Sequence, residues 1–165
     1  MSLTARIVLG FDAVCQAVQN LSNLVDRLSL NRALELTNGT GANQSNVLFH
    51  DERTLADGAE ETLDLYGGTL LDGLKNTLTM EKLKVLFLKN TSTDASLLIG
   101  GATTTPVDLF VDAADVFKQR PGGVFLTTAP DANGIALTTN KNLKLAHDGT
   151  GTSPLVYEII AIGVD

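Results

Sequence analysis

The sequence of 165 residues has no tryptophan, one cysteine, two histidines and only 5% aromatic residues. Each scarcity excludes something. A single cysteine, Cys15, makes no intrachain disulfide and no four-cysteine zinc site. It lies in an apolar pattern with no basic or histidine neighbour, the setting of a buried inert thiol rather than a nucleophile. His50 and His147 each stand beside carboxylates, Asp51-Glu52 and Asp148, but neither has a second His or Cys at metal-ligand spacing. There is no Gly-x-Ser-x-Gly elbow for a serine nucleophile. No catalytic, cofactor-binding or metal-ligating residue is assigned, and the chain is expected not to be an enzyme.

Long apolar runs are also missing. None approaches the roughly 20 residues of a membrane helix, and Arg6-Ile7-Val8-Leu9 is too short for a signal-peptide core. No membrane association and no export by that route are expected. Basic residues are few, 12 against 19 acidic ones, for a net charge of −7. Such a surface repels phosphates, so nucleic acid is not an expected partner.

What is present is apolar, at 44% of residues, enough for a packed core without staples. Phe11, Val14, Val18, Leu21, Val25 and Leu28 step by three and four. That spacing predicts an amphipathic helix over about 12–29, with Asp12 as cap and Asn31 near its end. A stripe so short needs either its own domain or another subunit to pack on, and its six residues are the candidate interaction surface. On that reading Val18→Asp or Leu21→Asp disrupts an assembly or unfolds the chain.

Past Asn31 the texture changes. Short apolar runs alternate with Gly, Asn, Asp and Thr clusters: Ala33–Leu36, Val47–Phe49, Glu61–Tyr66, Leu83–Leu88, Leu97–Ile99, Val107–Val111, Val124–Leu126, Ile135–Leu137, Leu143–Leu145 and Val156–Ile162. No helix-length segment separates them, which disfavours parallel βαβ winding. The expected fold is mainly β, an antiparallel β-sandwich or jelly roll of about 8–10 short strands. An N-terminal segment, 1–31, would carry the helix, and 32–165 would form the β-sandwich domain. Thr79–Lys82 reads as a single helical turn, and Gly67–Thr77 as a packed loop.

Arg120-Pro121-Gly122-Gly123 poses the choice between a phosphate cradle and a turn. A cradle needs a helix behind it, and Val124–Thr128 reads as a strand instead. This glycine pair and Pro130–Gly134 are therefore read as chain reversals in a hairpin pattern. Asp57, Glu60, Glu61 and Asp64 are the densest acidic group. They lack EF-hand spacing and read as a solvated loop rather than a Ca²⁺ site. Four Asn-x-Ser/Thr sequons, beginning at Asn20, Asn38, Asn43 and Asn90, are read as incidental.

Two stretches carry a resemblance. Leu63 to Ala102 runs from a Leu-Asp-Leu strand through Lys-x-Leu-x-Leu-Lys-Asn to an Ile-Gly-Gly end. Arg120 to Gly163 has Pro-Gly-Gly, Ala-Pro-Asp-x-x-Gly and a closing Tyr-x-Ile-x-Ile-Gly strand. Together they resemble structural proteins of tailed bacteriophages, of the capsid decoration (cement) type. The resemblance implies a small β domain that binds the shell of major capsid protein and stabilises the head. It implies a virion location on the capsid surface after synthesis in the host cytoplasm, a homo-oligomer (dimer or trimer), and no cofactor. Segment 12–29 lies outside the matching region. Within the same class a head-fibre base or a tail protein remains open. In another class stands a carbohydrate-binding β-sandwich, disfavoured by the missing tryptophan, and a hydrolase is disfavoured by the few histidines.

Overall fold

A computed structural model describes residues 2–18, 20, 22–151 and 153–165. Among them there is no helix. The strands are β1 (Ala5–Val18), β2 (Asn23–Asn38), β3 (Gln44–Ser45), β4 (Val47–Leu55), β5 (Glu60–Asp64), β6 (Lys82–Asn90), β7 (Leu97–Gly100), β8 (Val116–Gln119), β9 (Val124–Thr128), β10 (Ile135–Ala136), β11 (Asn142–His147) and β12 (Leu155–Val164). The protein is mainly β, as the alternating runs imply. They form three sheets, with every pairing antiparallel except the short parallel contact of β2 with β3.

Two sheets build the body. One has the order β10-β6-β12-β4, with β9 also on β6, and the other β5-β11-β7-β8. A single apolar cluster draws on both. Period two explains which residues enter it. In β12, Leu155, Tyr157, Ile159 and Ala161 are buried in the cluster, while Val156, Glu158 and Ile160 face outward. In β11, Leu143 and Leu145 join from the other sheet, with Leu63 of β5 and Leu97 and Ile99 of β7. Each such side chain contributes roughly 1.5–3 kcal/mol through removal from water.

The alternation is broken once, in β6. Ile162 lies opposite Val85 but Gly163 lies opposite Leu83, so Lys84 is an extra residue in a β-bulge. The bulge lets Leu83 and Leu86 both enter the main core while Val85 turns to the outer face. Lys84 is fully buried, and its ammonium donates to the Asp131 carbonyl. Burial lowers its pKa, only partly offset by the Asp131 carboxylate.

The expected helix over 12–29 is not formed. That segment belongs to a two-stranded antiparallel ribbon, β1 against β2, in register from Ala5↔Leu36 to Val18↔Asn23. The spacing of three and four is accidental. Residues 5, 7, 9, 11, 13, 15 and 17 (Ala, Ile, Leu, Phe, Ala, Cys, Ala) already alternate with Arg6, Gly10, Asp12 and Gln16, the period of a strand. Val8, Val14, Val18 and Val25 add β-branched residues that favour strands. Val18, supposed buried, is 88% exposed. Val18→Asp is therefore expected to change stability by no more than about 0.5 kcal/mol in a denaturant titration. A cooperative loss of several kcal/mol would restore the buried-stripe reading.

Three further expectations are corrected. Val107–Val111 forms no strand. Val107 is buried as a loop residue, held by its N–H to the Asn142 carbonyl at 3.0 Å. Thr79–Lys82 is not helical: Met80 lies in a connection ahead of β6 and is fully buried. The two glycine turns do not close hairpins. Pro121-Gly122 leads from β8 in one sheet to β9 in the other, with Gly123 N–H donating to the Arg120 carbonyl at 2.9 Å. Pro130–Gly134 separates β9 and β10, which pair with successive parts of β6. Gly134 has φ +58°, and a Cβ there would lie 2.9 Å from the Leu83 carbonyl oxygen.

Candidate interaction surface

Directly opposed residues of an antiparallel pair share a face, so the ribbon has two. One face carries Arg6/Glu35, Val8/Ala33, Gly10/Asn31, Asp12/Ser29, Val14/Arg27, Gln16/Val25 and Val18/Asn23. It is mixed, and Arg6 and Glu35 approach to 3.4 Å while both stay well solvated. The other face carries Ala5/Leu36, Ile7/Leu34, Leu9/Arg32, Phe11/Leu30, Ala13/Leu28, Cys15/Asp26 and Ala17/Leu24. Only Arg32 and Asp26 interrupt its apolar character.

The base of the apolar face is anchored. Leu36 is buried with Val85 and Ile162, and Leu3, Ala5, Ile7, Leu34, Leu48 and Leu126 pack around them. This cluster lies on the side of the β6-containing sheet away from the main core, because Val85 and Ile162 point that way. Beyond Ile7 and Leu34 the same face leaves the body. Phe11 is 52% exposed, and Leu24 and Leu28 are 57% exposed. An isolated two-stranded hairpin is at best marginally stable in water. Here a rise of about 3.4 Å per residue carries the free part, levels 9 to 17, roughly 30 Å from its anchor with its apolar side uncovered.

The six stripe residues are thus relocated. Phe11 and Leu28 lie on the apolar face, and Val14, Val18 and Val25 on the mixed one. Leu21 lies outside the described residues. A period-two reading of residues 5–17 would have found the face; the helical template divided it between both sides.

The other candidates are dispersed. His50 is exposed on β4, opposite Ile160. His147, at the end of β11, has a fully buried side chain. Its Nδ1 accepts the Gly149 N–H at 3.0 Å, which leaves Nε2 to donate to the Ser153 carbonyl at 3.3 Å. The acidic group is divided among separate partners. Glu61 accepts from Arg53 and from the Tyr157 hydroxyl, each at 2.7 Å. Glu60 meets Lys144 at 2.7 Å, Asp64 meets Lys141 at 2.8 Å, and Asp57 lies 3.6 Å from His147 Nδ1. Burial and the Glu61 carboxylate raise the Tyr157 phenol, which stays protonated. Among the described residues no three His, Cys, Asp or Glu side chains converge as a metal site.

The arrangement presents an apolar ribbon face beside a two-sheet body, and exposed loop positions at Ala42, Asn43, Asp57 and Gly58. Comparison with family models, with curated proteins and with solved structures returns no match.

Proposed function

We propose that the chain is a non-enzymatic structural protein of a tailed-bacteriophage virion, a capsid decoration protein that binds the shell of major capsid protein and stabilises the head. The two sheets and their shared core form the sandwich of such a domain, and the ribbon projects from it as an assembly arm. One observation carries the reading: the apolar face of residues 9–17 and 24–32 is anchored at one end and bare over the rest. A bare apolar face on a projecting ribbon is a candidate contact site, and on this reading the working state is an assembly. In that state the exposed turns at Ala42–Asn43 and Asp57–Gly58, within the polar segments Gly39–Asn46 and Asp57–Glu61, face the shell, and many copies add modest contacts into firm attachment. The resemblance of Leu63–Ala102 and Arg120–Gly163 to phage structural proteins points the same way.

The test is rebinding. Purified protein is mixed with heads lacking it and sedimented. Cosedimentation at a fixed copy number per shell, with greater resistance of the heads to heating, is expected. Protein left in the supernatant at saturating concentration would refute shell binding.

A further inference from the structure

The apolar face of the arm has a pattern that selects its partner. We propose that it is covered by the same face of a second copy, with the two arms running antiparallel about a two-fold axis at the level of Asp12 and Ser29. The inference deepens the reading of the chain as an assembly protein and requires only that part of it.

The argument begins with the two charges. Arg32 lies opposite Leu9 and Asp26 opposite Cys15, so they sit at levels 9 and 15 of the same strand and on the same face. A two-fold at level 12 that reverses the ribbon maps level 9 onto level 15 and keeps β2 over β2. Arg32 of one copy then meets Asp26 of the other, twice. Both remain exposed in the single chain. If the arms instead run in the same direction, Arg32 faces Leu9 and Asp26 faces Cys15, and each charge is desolvated against an apolar side chain. Three arms around a three-fold axis would bring three Arg32 side chains together. The charge pattern fits the reversed pair alone of these arrangements.

Side-chain size agrees independently. On β1 the large residues Ile7, Leu9 and Phe11 lie toward the base, and the small ones Ala13, Cys15 and Ala17 toward the tip. Reversal about level 12 sets Phe11 against Ala13 and Leu9 against Cys15, large against small as facing sheet surfaces interdigitate. On β2, Leu30 meets Leu28. The partner's tip, with Ala17 and Leu24, reaches the arm base, where Ile7 and Leu34 already pack on the body.

The contact is modest. A face roughly 30 Å by 10 Å gives a footprint on the order of 300 Å² per copy, below the ~800 Å² typical of stable complexes. The dimer should therefore dissociate on dilution.

The test uses purified full-length protein without shells. Sedimentation equilibrium over a wide concentration range is expected to give a monomer–dimer equilibrium. Arg32→Asp and Asp26→Arg, both at exposed positions, should each weaken the dimer at least about tenfold with unchanged thermal melts. The double exchange should restore it to within about threefold of the original. Leu9→Cys should be joined to Cys15 of the second copy by a short bismaleimide, whereas the parent protein should not cross-link through Cys15 alone. A monomer at every concentration, a trimer, no rescue by the double exchange, or ready Cys15–Cys15 cross-linking in the parent would each overturn the pairing. A reversed dimer that fails to bind shells would sink the capsid reading alone, and shell binding by strict monomers would sink the pairing alone.

Discussion

Gly163→Val is expected to remove at least about 3 kcal/mol of stability, lowering the melting temperature by roughly 6–12 °C for a chain of this size. Gly163 sits in β12 directly after the bulge, between Val47 of β4 and Leu83 of β6. A Cβ there would collide with the Lys82 carbonyl oxygen and would lie 2.5 Å from Met80 Sδ and 2.6 Å from Met80 Cγ. Neither neighbour has an easy way out. The carbonyl belongs to the strand alongside, and Met80 is fully buried. The Gly163 carbonyl also accepts the Asn46 N–H at 3.0 Å, so retreat of β12 would break a second contact. Gly10→Ala is the control. Nothing lies within 4 Å of its added methyl group and its φ is not positive, so it should be neutral or stabilise by up to about 1 kcal/mol. Equal stability of the Gly163→Val and Gly10→Ala variants in urea would contradict the close approach at the bulge.

The second large effect is at Asp148. Its side chain is 3% exposed and meets Lys118 Nζ at 2.8 Å. It also accepts the Ser96 N–H at 3.2 Å, the Thr150 N–H at 3.2 Å and the Thr150 hydroxyl at 2.7 Å. In return its own N–H donates to the Ser96 carbonyl at 3.2 Å. One carboxylate thus joins the end of β11 to the entry of β7 and to β8. Asp148→Ala is expected to cost roughly 2–4 kcal/mol, because charged hydrogen bonds are lost and the Ser96 N–H loses its acceptor. Burial pushes the Asp148 carboxyl upward, but Lys118, Thr150 and Ser96 outweigh it and hold the pKa well below the usual carboxylate range. A depressed folded-state pKa gives stability that is complete above the unfolded value, near 3.9, and is lost as pH falls through it toward the folded value. Asp148→Asn should therefore flatten the acid limb below about pH 4 relative to the parent protein. Parallel stability curves for the two proteins between pH 2 and 6 would show that Asp148 does not supply that stability.

Much of the body was legible because its strands are half-buried and its turns are marked. Val156–Ile162 is a short apolar run rich in β-branched residues that ends at Gly163, and Gly-rich or Asn-rich clusters stop most of the others. Three local features were hidden. The bulge at Lys84 inserts a residue and breaks the period, so LKVLFL reads as a uniform apolar run. Val107–Val111 alternates like a strand but is a loop whose Val107 and Leu109 serve the core without a continuous ladder. β8 is short, with Val116 and Phe117 exposed on the rim, and nothing in VFKQ announces it. The arm was lost to a coincidence of spacing. When apolar residues fall on both faces of a ribbon, their combined spacing imitates a helix; the alternation from Ala5 to Ala17, interrupted at Val8 and Val14, is the signal that resolves it.

The six stripe residues belong to a segment that forms a ribbon and not a helix, which changes the faces they share. Phe11 and Leu28 do lie together on the apolar face, whereas Val14, Val18 and Val25 point away from it. Arg32 and Asp26 were not singled out, because their meaning depends on register: six residues apart in sequence, they are symmetric only about the level of Asp12 and Ser29. The network around Asp148 was equally invisible, since Ser96, Lys118 and Thr150 come from three different places in the chain.

Cys15 provides the most direct test of the arm as the adhesive element. It is the chain's one thiol, it is exposed in the single chain, and it lies on the apolar face opposite Asp26. Its rate of reaction with a small maleimide can be followed in dilute protein, in concentrated protein and in protein bound to shells. Rapid labelling in the dilute sample, slowed at least about tenfold in the other two, is the result expected. Equal rates in all three states would contradict the claim that this face is what the assembly covers.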